Sequence, residues 1–161
     1  KDVQRGIDFL AQYDLTYDIL VFARQLPAAI ELVKAFPQQK FVLDHLAKPQ
    51  ISKGLDKAWQ TNIAALAAYP NVFCKLSGMV TETEDFKWKK SDFTPYLDVI
   101  FNSFGTDRVM YGSDWPVCLL AADYALQLDI LQEYIADFSE SEQSKIMGGN
   151  AVSFYDLKMK L

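Results

Sequence analysis

Four short apolar runs, each followed by a longer segment with helical spacing, limit how this chain can fold more than any other feature. The runs cover residues 17–22, 40–45, 71–77 and 108–112. Short, almost continuously apolar strands that alternate with amphipathic helices are typical of parallel strands buried on both faces. The pattern therefore predicts an α/β fold with about four parallel strands and flanking helices.

The connections between these runs carry helix signals. Pro27 and Pro37 bracket the first predicted helix, and a third helix is predicted over residues 95–104. The second and fourth helices are predicted from apolar stripes. These stripes are Leu55, Trp59, Ile63 and Leu66, then Tyr124, Leu128, Leu131 and Ile135.

The end of the chain predicts two further helices. Ser139 and Glu142 form a capping-box pattern, which predicts a helix that runs to about Met147 and is ended by the Gly148–Gly149 pair. Asn150 is then expected to cap a last helix. We expect this helix pair to brace the bottom of the sheet.

Composition excludes several classes of protein. Half of the 161 residues are hydrophobic and 14% are aromatic, so the chain can bury a core as one domain over residues 1–161. The net charge of −5, with both signs interspersed, argues against binding to nucleic acid or anionic lipid. No stretch approaches the ~20 apolar residues of a membrane span, and no apolar signal core opens the chain. We therefore predict a cytoplasmic protein in which Cys74 and Cys118 are reduced thiols.

His45 is the only histidine of the chain and stands at the end of the second apolar run. The two-residue period of a strand places it on one face with Phe41 and Leu43, while Val42 and Asp44 take the other face. The carboxyl ends of parallel strands form the active-site rim of an α/β barrel. His45 is thus either a catalytic or a purely structural imidazole.

Asp114 follows the fourth run and shares a face with Met110 and Gly112. In a Ser-Asp-Trp-Pro turn an aspartate often only caps the backbone. If it faces the barrel axis instead, it is able to ligate a metal or to take a proton from water, with His45 as its partner.

Lys75 lies inside the third apolar run, on the same face as Phe73 and Ser77. A lysine in a core must pair, extend to solvent or lose its proton. Either it reaches the bottom or outer face, or it points to the rim beside Asp114, where it would hold a substrate carboxylate or polarise a carbonyl.

Further rim candidates follow the first, third and fourth runs. Arg24 is either a substrate ligand or a solvated loop residue, and Trp115 is either a ring-stacking wall or ordinary packing. The charged segment 82–93 is either a lid or a solvated loop.

Three motifs resemble the amidohydrolase-2 family of the amidohydrolase superfamily, in its sugar-lactonase-like branch. They are VLDHLAKP (42–49), CKLSG (74–78) and RVMYGSDWPV (108–117), and the segments DILVFARQLP and GGNAVSFYDL are also similar. The resemblance implies an eight-stranded (β/α)8 TIM barrel of which this chain is the C-terminal part. His45 and Asp114 match two positions of the family's site, but no His-x-His pair precedes them. Together with a first residue that is Lys1 rather than Met, this favours a processed, truncated or excised chain.

The resemblance implies a hydrolase that acts on a sugar-acid lactone or related cyclic ester. Asp114 would accept a proton from the attacking water and His45 would polarise the carbonyl, while Lys75 and Arg24 hold polar groups and Trp115 walls the pocket. A divalent metal such as zinc, bound by His45 and Asp114, is an option with an incomplete ligand set, because catalytic zinc commonly takes three protein ligands. The isolated chain is expected to turn over little substrate. The alternatives are a non-catalytic half-barrel that assembles with itself or a partner, and a decarboxylase of the same superfamily.

Overall fold

The structure is a computed structural model that describes residues 2–158. Four parallel strands form one sheet in sequential order, with Tyr17 beside Phe41, Phe41 beside Val72, and Cys74 beside Val109. The strands are β1 (Tyr17–Ile19), β2 (Phe41–Leu43), β3 (Val72–Leu76) and β4 (Val109–Tyr111). The predicted α/β fold with four parallel strands is confirmed, and all four carboxyl ends lie along one edge of the sheet.

Helices connect the strands in the order that the apolar spacing predicts. They are α1 (Asp2–Leu10), α2 (Leu26–Ala35), α3 (Lys57–Ala67), α4 (Thr94–Phe104), α5 (Tyr124–Tyr134), α6 (Glu140–Ser144) and α7 (Asn150–Phe154). No helix was predicted over α1, in which Ile7 is buried and Val3 and Phe9 are exposed.

One face of the sheet and the apolar faces of the helices form the main core. The strand residues that are completely buried on this face are Phe41, Leu43, Val72, Cys74 and Val109. Two predicted stripe members are wrong, because Leu55 precedes α3 and Tyr124 lies on the exposed side of α5. The buried face of α5 is formed by Gln127, Ile130 and Leu131.

The opposite face carries a second, smaller cluster. Val42 and Met110 from the sheet pack against Phe154 of α7, with Phe73 and Tyr155 partly buried around them. This is the face that points to the axis when such strands close into a barrel. The C-terminal helix therefore packs on this face of the sheet.

The junction of α6 and α7 differs from the prediction. Ser139 and Glu142 form the expected capping box, but the helix does not end at Gly148–Gly149; it continues through a π-helical turn, Lys145–Gly149, into α7. A Cβ on Gly149 would lie 3.3 Å from the Ser144 carbonyl oxygen, so glycine admits the tighter approach. Asn150 is not a cap: its side-chain amide donates to the carbonyls of Thr106 and Val109 and ties α7 to the start of β4.

The expectation that both cysteines are thiols is met. Cys74 and Cys118 are free and buried. Burial raises the pKa of both thiols, which makes them poor nucleophiles. No helix within residues 2–158 has the length and apolar character needed to cross a membrane.

Candidate active site at the carboxyl edge of the sheet

Three side chains from the ends of β2, β3 and β4 meet at the carboxyl edge of the sheet. Nε2 of His45 lies 3.6 Å from Oδ1 of Asp114, and Nδ1 of His45 lies 2.8 Å from Oγ of Ser77. The side chain of His45 is 19% exposed to solvent and that of Asp114 is 12% exposed. The predicted convergence of His45 and Asp114 at one rim is thus observed, while their chemical roles stay predictions.

A left-handed turn brings His45 to this rim. The prediction that His45 continues the stripe of Phe41 and Leu43 is wrong, because β2 ends at Leu43 and residues 45–48 all have φ between 51° and 60°. Each left-handed residue other than glycine costs about 1–2 kcal/mol. The turn carries the imidazole away from the helix-covered face to the side of Asp114.

Packing around the turn offsets this strain. Leu46 and Ala47 are completely buried, and the indole Nε1–H of Trp59 in α3 donates to the Leu46 carbonyl at 2.8 Å. Lys48, at the end of the turn, forms an ion pair with Glu82 of the loop after β3. Side chains from two neighbouring segments therefore hold the backbone of the turn in place.

Two glycines make room for the site. A Cβ on Gly78 would lie 2.7 Å from the ring of His45, and Gly78 has φ +65°. A Cβ on Gly112 would lie 3.0 Å from Cβ of Ser77. Any side chain at Gly78 would displace the imidazole. The Ser77–Gly78 pair that follows β3 therefore leaves space for the ring of His45.

Asp114 also has a left-handed backbone, with φ 55°. In the turn that it occupies, the side-chain oxygen that accepts a backbone N–H is that of Ser113, from Trp115 at 3.2 Å. The backbone carbonyl of Asp114 accepts from the N–H of Cys118 at 2.9 Å, which fixes the turn. This arrangement leaves the Asp114 carboxylate facing His45 and not serving as the Asx cap.

Lys75 lies on the barrel-facing side and is paired. Its ammonium is 2.5 Å from Asp18 of β1 and 2.9 Å from Asp44, and it stands 5.5 Å from the centre of the Tyr155 ring. Burial alone would lower the pKa of Lys75, but its hydrogen bond with Asp18 and the proximity of Tyr155 and the Asp44 carboxylate outweigh burial and raise it. Lys75 is therefore a fixed cation whose ion pairs among the described residues are with Asp18 and Asp44, and its contact with substrate stays a prediction.

Arg24 lies in a separate groove, and Trp115, the residue after Asp114, is exposed. The guanidinium of Arg24 is 4.8 Å from the centre of the Phe22 ring and lines a groove of about 790 Å³ between the loops after β1 and β2. Neither His45 nor Asp114 lines this groove. Trp115 is 63% exposed, so within residues 2–158 it does not yet wall a pocket.

The segment 82–93 is anchored on both sides. The backbone N–H of Glu84 donates to Ser52, and the indole of Trp88 donates to the Ala121 carbonyl. Lys90 forms ion pairs with Asp129 and Glu133 of α5. These contacts join the loops after β2, β3 and β4, and a lid role stays a prediction.

The geometry of His45 and Asp114 suits a shared metal ion, but their number does not. Around a tetrahedral ion with bonds of about 2.0–2.2 Å, two ligand atoms lie about 3.4 Å apart, close to the observed 3.6 Å. Across residues 2–158, no group of three or more His, Cys, Asp or Glu side chains is placed to hold a metal. Catalytic zinc takes three protein ligands, so we derive no reaction step through a metal.

Sequence reasoning missed the partners of the residues that it singled out. Ser77 was placed only on the same face as Lys75. A polar residue between a predicted strand and a glycine is nevertheless a usable signal for a site residue. Asp18, Asp44 and Tyr155 were not expected to enclose Lys75. No local signal indicates these partners, because they come from β1, from the end of β2 and from the C-terminal helix.

The fold and the site define a class: a parallel α/β sheet, equivalent to part of a TIM barrel, with a histidine and an aspartate at its carboxyl edge. A family model described as amidohydrolase matches residues 2–157. The chain therefore belongs to the amidohydrolase family, as its motifs predicted.

Relatives with assigned activities support this family. The chain is 37% identical to an L-fucono-1,5-lactonase of Burkholderia ambifaria, over 95% of this chain and 54% of that protein. It is 38% identical to the L-fucono-1,5-lactonase of Burkholderia multivorans, over 97% of this chain and 56% of that protein. A crystal structure of an amidohydrolase from Burkholderia multivorans with bound zinc superposes with a TM-score of 0.92, at 38% identity, over 98% of this chain and 58% of that one. The chain thus spans little more than half the length of these relatives.

Proposed function

We propose that a complete barrel containing this chain hydrolyses a sugar-acid lactone. The observation that carries the proposal is the convergence of His45 and Asp114, whose side chains lie 3.6 Å apart at the carboxyl edge of the sheet. The sequence of this chain is 37–38% identical to those of L-fucono-1,5-lactonases. A small carbohydrate lactone is therefore the substrate class that we assign, and carbohydrate metabolism is its setting. The cytoplasmic location stays a prediction from the sequence.

The two rim residues divide the work of ester hydrolysis. The carboxylate of Asp114 accepts a proton from the attacking water, and the water oxygen bonds to the lactone carbonyl carbon. His45 donates a hydrogen bond to the carbonyl oxygen as negative charge develops there. Collapse of the tetrahedral intermediate breaks the ring C–O bond, and the ring oxygen leaves with a proton to give the open hydroxy acid.

We assign Lys75 a supporting role in the site, and its direct contact with substrate stays a prediction. Because its ammonium is paired with Asp18 and Asp44, it supports the rim from the barrel-facing side and fixes Asp44, the neighbour of His45. Arg24 remains a candidate for a polar substituent of the substrate through the groove that it lines, and Trp115 a candidate wall. A zinc ion, if used, would bind Asp114 and, in place of a proton, Nε2 of His45, and would need a further ligand from elsewhere.

The proposal is tested by substituting Asp114→Asn in the complete barrel and measuring lactone turnover. Loss of a general base costs about 10²–10⁴ in rate, so kcat is expected to fall at least about 100-fold. The matched control is Asp137→Asn, which removes the charge of an exposed carboxylate between α5 and α6. Activity of Asp114→Asn near that of the parent would remove Asp114 from the reaction.

A second candidate, assembly of the chain as a non-catalytic half-barrel, is favoured by one observation. Exposed apolar side chains border both outer strands of the sheet. They are Leu15, Leu20 and Phe22 near β1, and Val117, Leu119 and Leu120 after β4. Sheet edges of this kind are sites of pairing with another chain. Sedimentation of the 161-residue chain tests this, since a concentration-independent monomer contradicts it.

The decarboxylase alternative stays a prediction, tested by assaying carbon dioxide release.

A further inference from the structure

Ser77 touches the reacting histidine and has no assigned role. Its Oγ lies 2.8 Å from Nδ1 of His45, and the residue is 1% exposed. A Cβ on Gly112, the residue after β4, would lie 3.0 Å from Cβ of Ser77, and a Cβ on Gly78, the next residue along the chain, would lie 2.7 Å from the imidazole ring. The hydroxyl is thus enclosed with His45 as its hydrogen-bond partner among the described residues.

The order Ser77, His45, Asp114 resembles a nucleophilic triad, but the geometry excludes a nucleophilic serine here. The serine is buried on the side of the imidazole that faces away from Asp114. A nucleophile must reach within about 3–3.5 Å of the carbon that it attacks. The accessible side of the pair is the gap between Nε2 and Asp114, so Ser77 acts through the ring and does not touch substrate.

We propose that Ser77 is a positioning residue that donates its hydroxyl proton to Nδ1 of His45 and so keeps the imidazole proton on Nε2, facing Asp114. A neutral imidazole has one donor and one acceptor nitrogen, and a hydroxyl is able to serve either. The nearby carboxylate favours a proton over a lone pair on Nε2. This inference rests on the proposed function, in which Nε2–H binds the lactone carbonyl.

The spacing of the pair supports this assignment. At 3.6 Å, Nε2 and Oδ1 are too far apart for a direct hydrogen bond, whose N···O distance is about 2.7–3.2 Å. The Nε2–H group is therefore free to donate to a third oxygen placed between the two side chains. With the ring fixed through Nδ1, that direction is set before substrate binds.

The kinetic test compares Ser77→Ala with Ile100→Val in the complete barrel. Both changes remove one heavy atom from a buried side chain, but Ile100 lies on α4 in the helix-covered core, whereas Ser77 contacts His45. Loss of a group that orients a catalytic histidine typically costs 10–100-fold, so we expect kcat of Ser77→Ala to fall about 10–100-fold with KM changed less than about threefold. Equal kcat values for the two variants, in an active parent, would overturn the role of Ser77.

A spectroscopic test does not depend on lactone turnover. His45 is the only histidine of the 161-residue chain, so ¹⁵N spectra of its ring nitrogens need no assignment by mutation. In chelator-treated protein at a pH where the ring is neutral, we expect a protonated Nε2, an unprotonated Nδ1, and a displaced Nδ1 signal in Ser77→Ala. A proton on Nδ1 in the parent, or an Nδ1 signal that Ser77→Ala leaves unchanged, would overturn the inference. A parent without lactonase activity would instead overturn the proposed function.

Discussion

At the scale of single residues, each ionisable group of the site is fixed by a neighbour from another strand. Ser77 of the β3 end holds His45, and Asp18 and Asp44 hold Lys75. These contacts join groups that are far apart in the chain, such as Lys75 and Asp18 with a separation of 57 residues. The site therefore forms only when the sheet has its native register.

Lys75 provides a prediction at this scale. Replacing it by methionine keeps most of the side-chain volume but leaves Asp18 and Asp44 near each other without their cation. Because removing one partner of a fully buried pair costs about 3–5 kcal/mol and this cluster is half-buried, we expect the free energy of unfolding to fall by about 1–3 kcal/mol. Urea denaturation of the chain measures it.

The matched control is Lys145→Met, which breaks an exposed ion pair with Asp107. Exposed pairs contribute about 0–1 kcal/mol. Equal unfolding free energies for the two variants would show that the Lys75 cluster contributes no more than a surface pair.

The pairing of Lys75 shows which part of the site could be predicted from the sequence. A lysine inside an apolar run must pair or extend to solvent, so the alternatives followed from the residue type alone. The choice between them depends on Asp18 and Tyr155, which are placed by strand order and by the C-terminal helix. The residue type alone determines that Lys75 needs a partner, whereas the tertiary structure determines which residues are its partners.

At the scale of elements, strands and helices were predictable and their ends were not. The spacing of hydrophobic residues predicted all four strands and α2 to α5, because the burial of one face of each element sets that spacing. The ends depend on the backbone: β2 stops at Leu43, where the left-handed turn over residues 45–48 begins to redirect the chain. No glycine marks this turn, so residue type alone predicts a continued strand, and the face of His45 was predicted wrongly.

The indole of Trp59 gives a prediction about this turn. Trp59→Phe keeps an aromatic ring in the core but removes the hydrogen bond to the Leu46 carbonyl and leaves a buried acceptor without its donor. Such a loss costs about 1–3 kcal/mol of unfolding free energy. Since the turn carries His45, we also expect lower kcat in the complete barrel.

Tyr134→Phe serves as the comparison for Trp59→Phe. It removes a hydrogen bond between an aromatic side chain and Asp98 on the outer helices, away from the turn. A kcat for Trp59→Phe equal to that of Tyr134→Phe would show that the turn does not depend on the indole for its catalytic geometry.

At the scale of the whole molecule, the chain presents half of the eight strands of a barrel, with its small inner cluster braced by Phe154. The helix-covered face has a continuous core, whereas the barrel-facing side carries Lys75 and its acids near the rim. The packing explains why the fold was predictable from half a barrel, since the βα pattern repeats locally. It also explains why the roles of the site residues were not, because a closed barrel brings together side chains from all its strands.

This asymmetry predicts that completeness of the barrel controls activity. A misplacement of about 1 Å at a reacting group costs about 100-fold in rate, and an open sheet lacks the opposite wall that positions substrate. We therefore expect the 161-residue chain alone to show less than about one-hundredth of the lactone kcat/KM of a complete barrel that contains it. Comparable rates for the two proteins would contradict this expectation.

The central claim is that His45 and Asp114 act on the same reacting ester. A double-mutant cycle in the complete barrel measures this directly, with kcat/KM for lactone hydrolysis determined in the parent, His45→Asn, Asp114→Asn and the double variant. Residues that act as a unit are strongly non-additive, so the double variant is expected to be no slower than the slower single variant within about threefold. Losses that simply multiply in the double variant would show that the two residues act independently and would contradict the account.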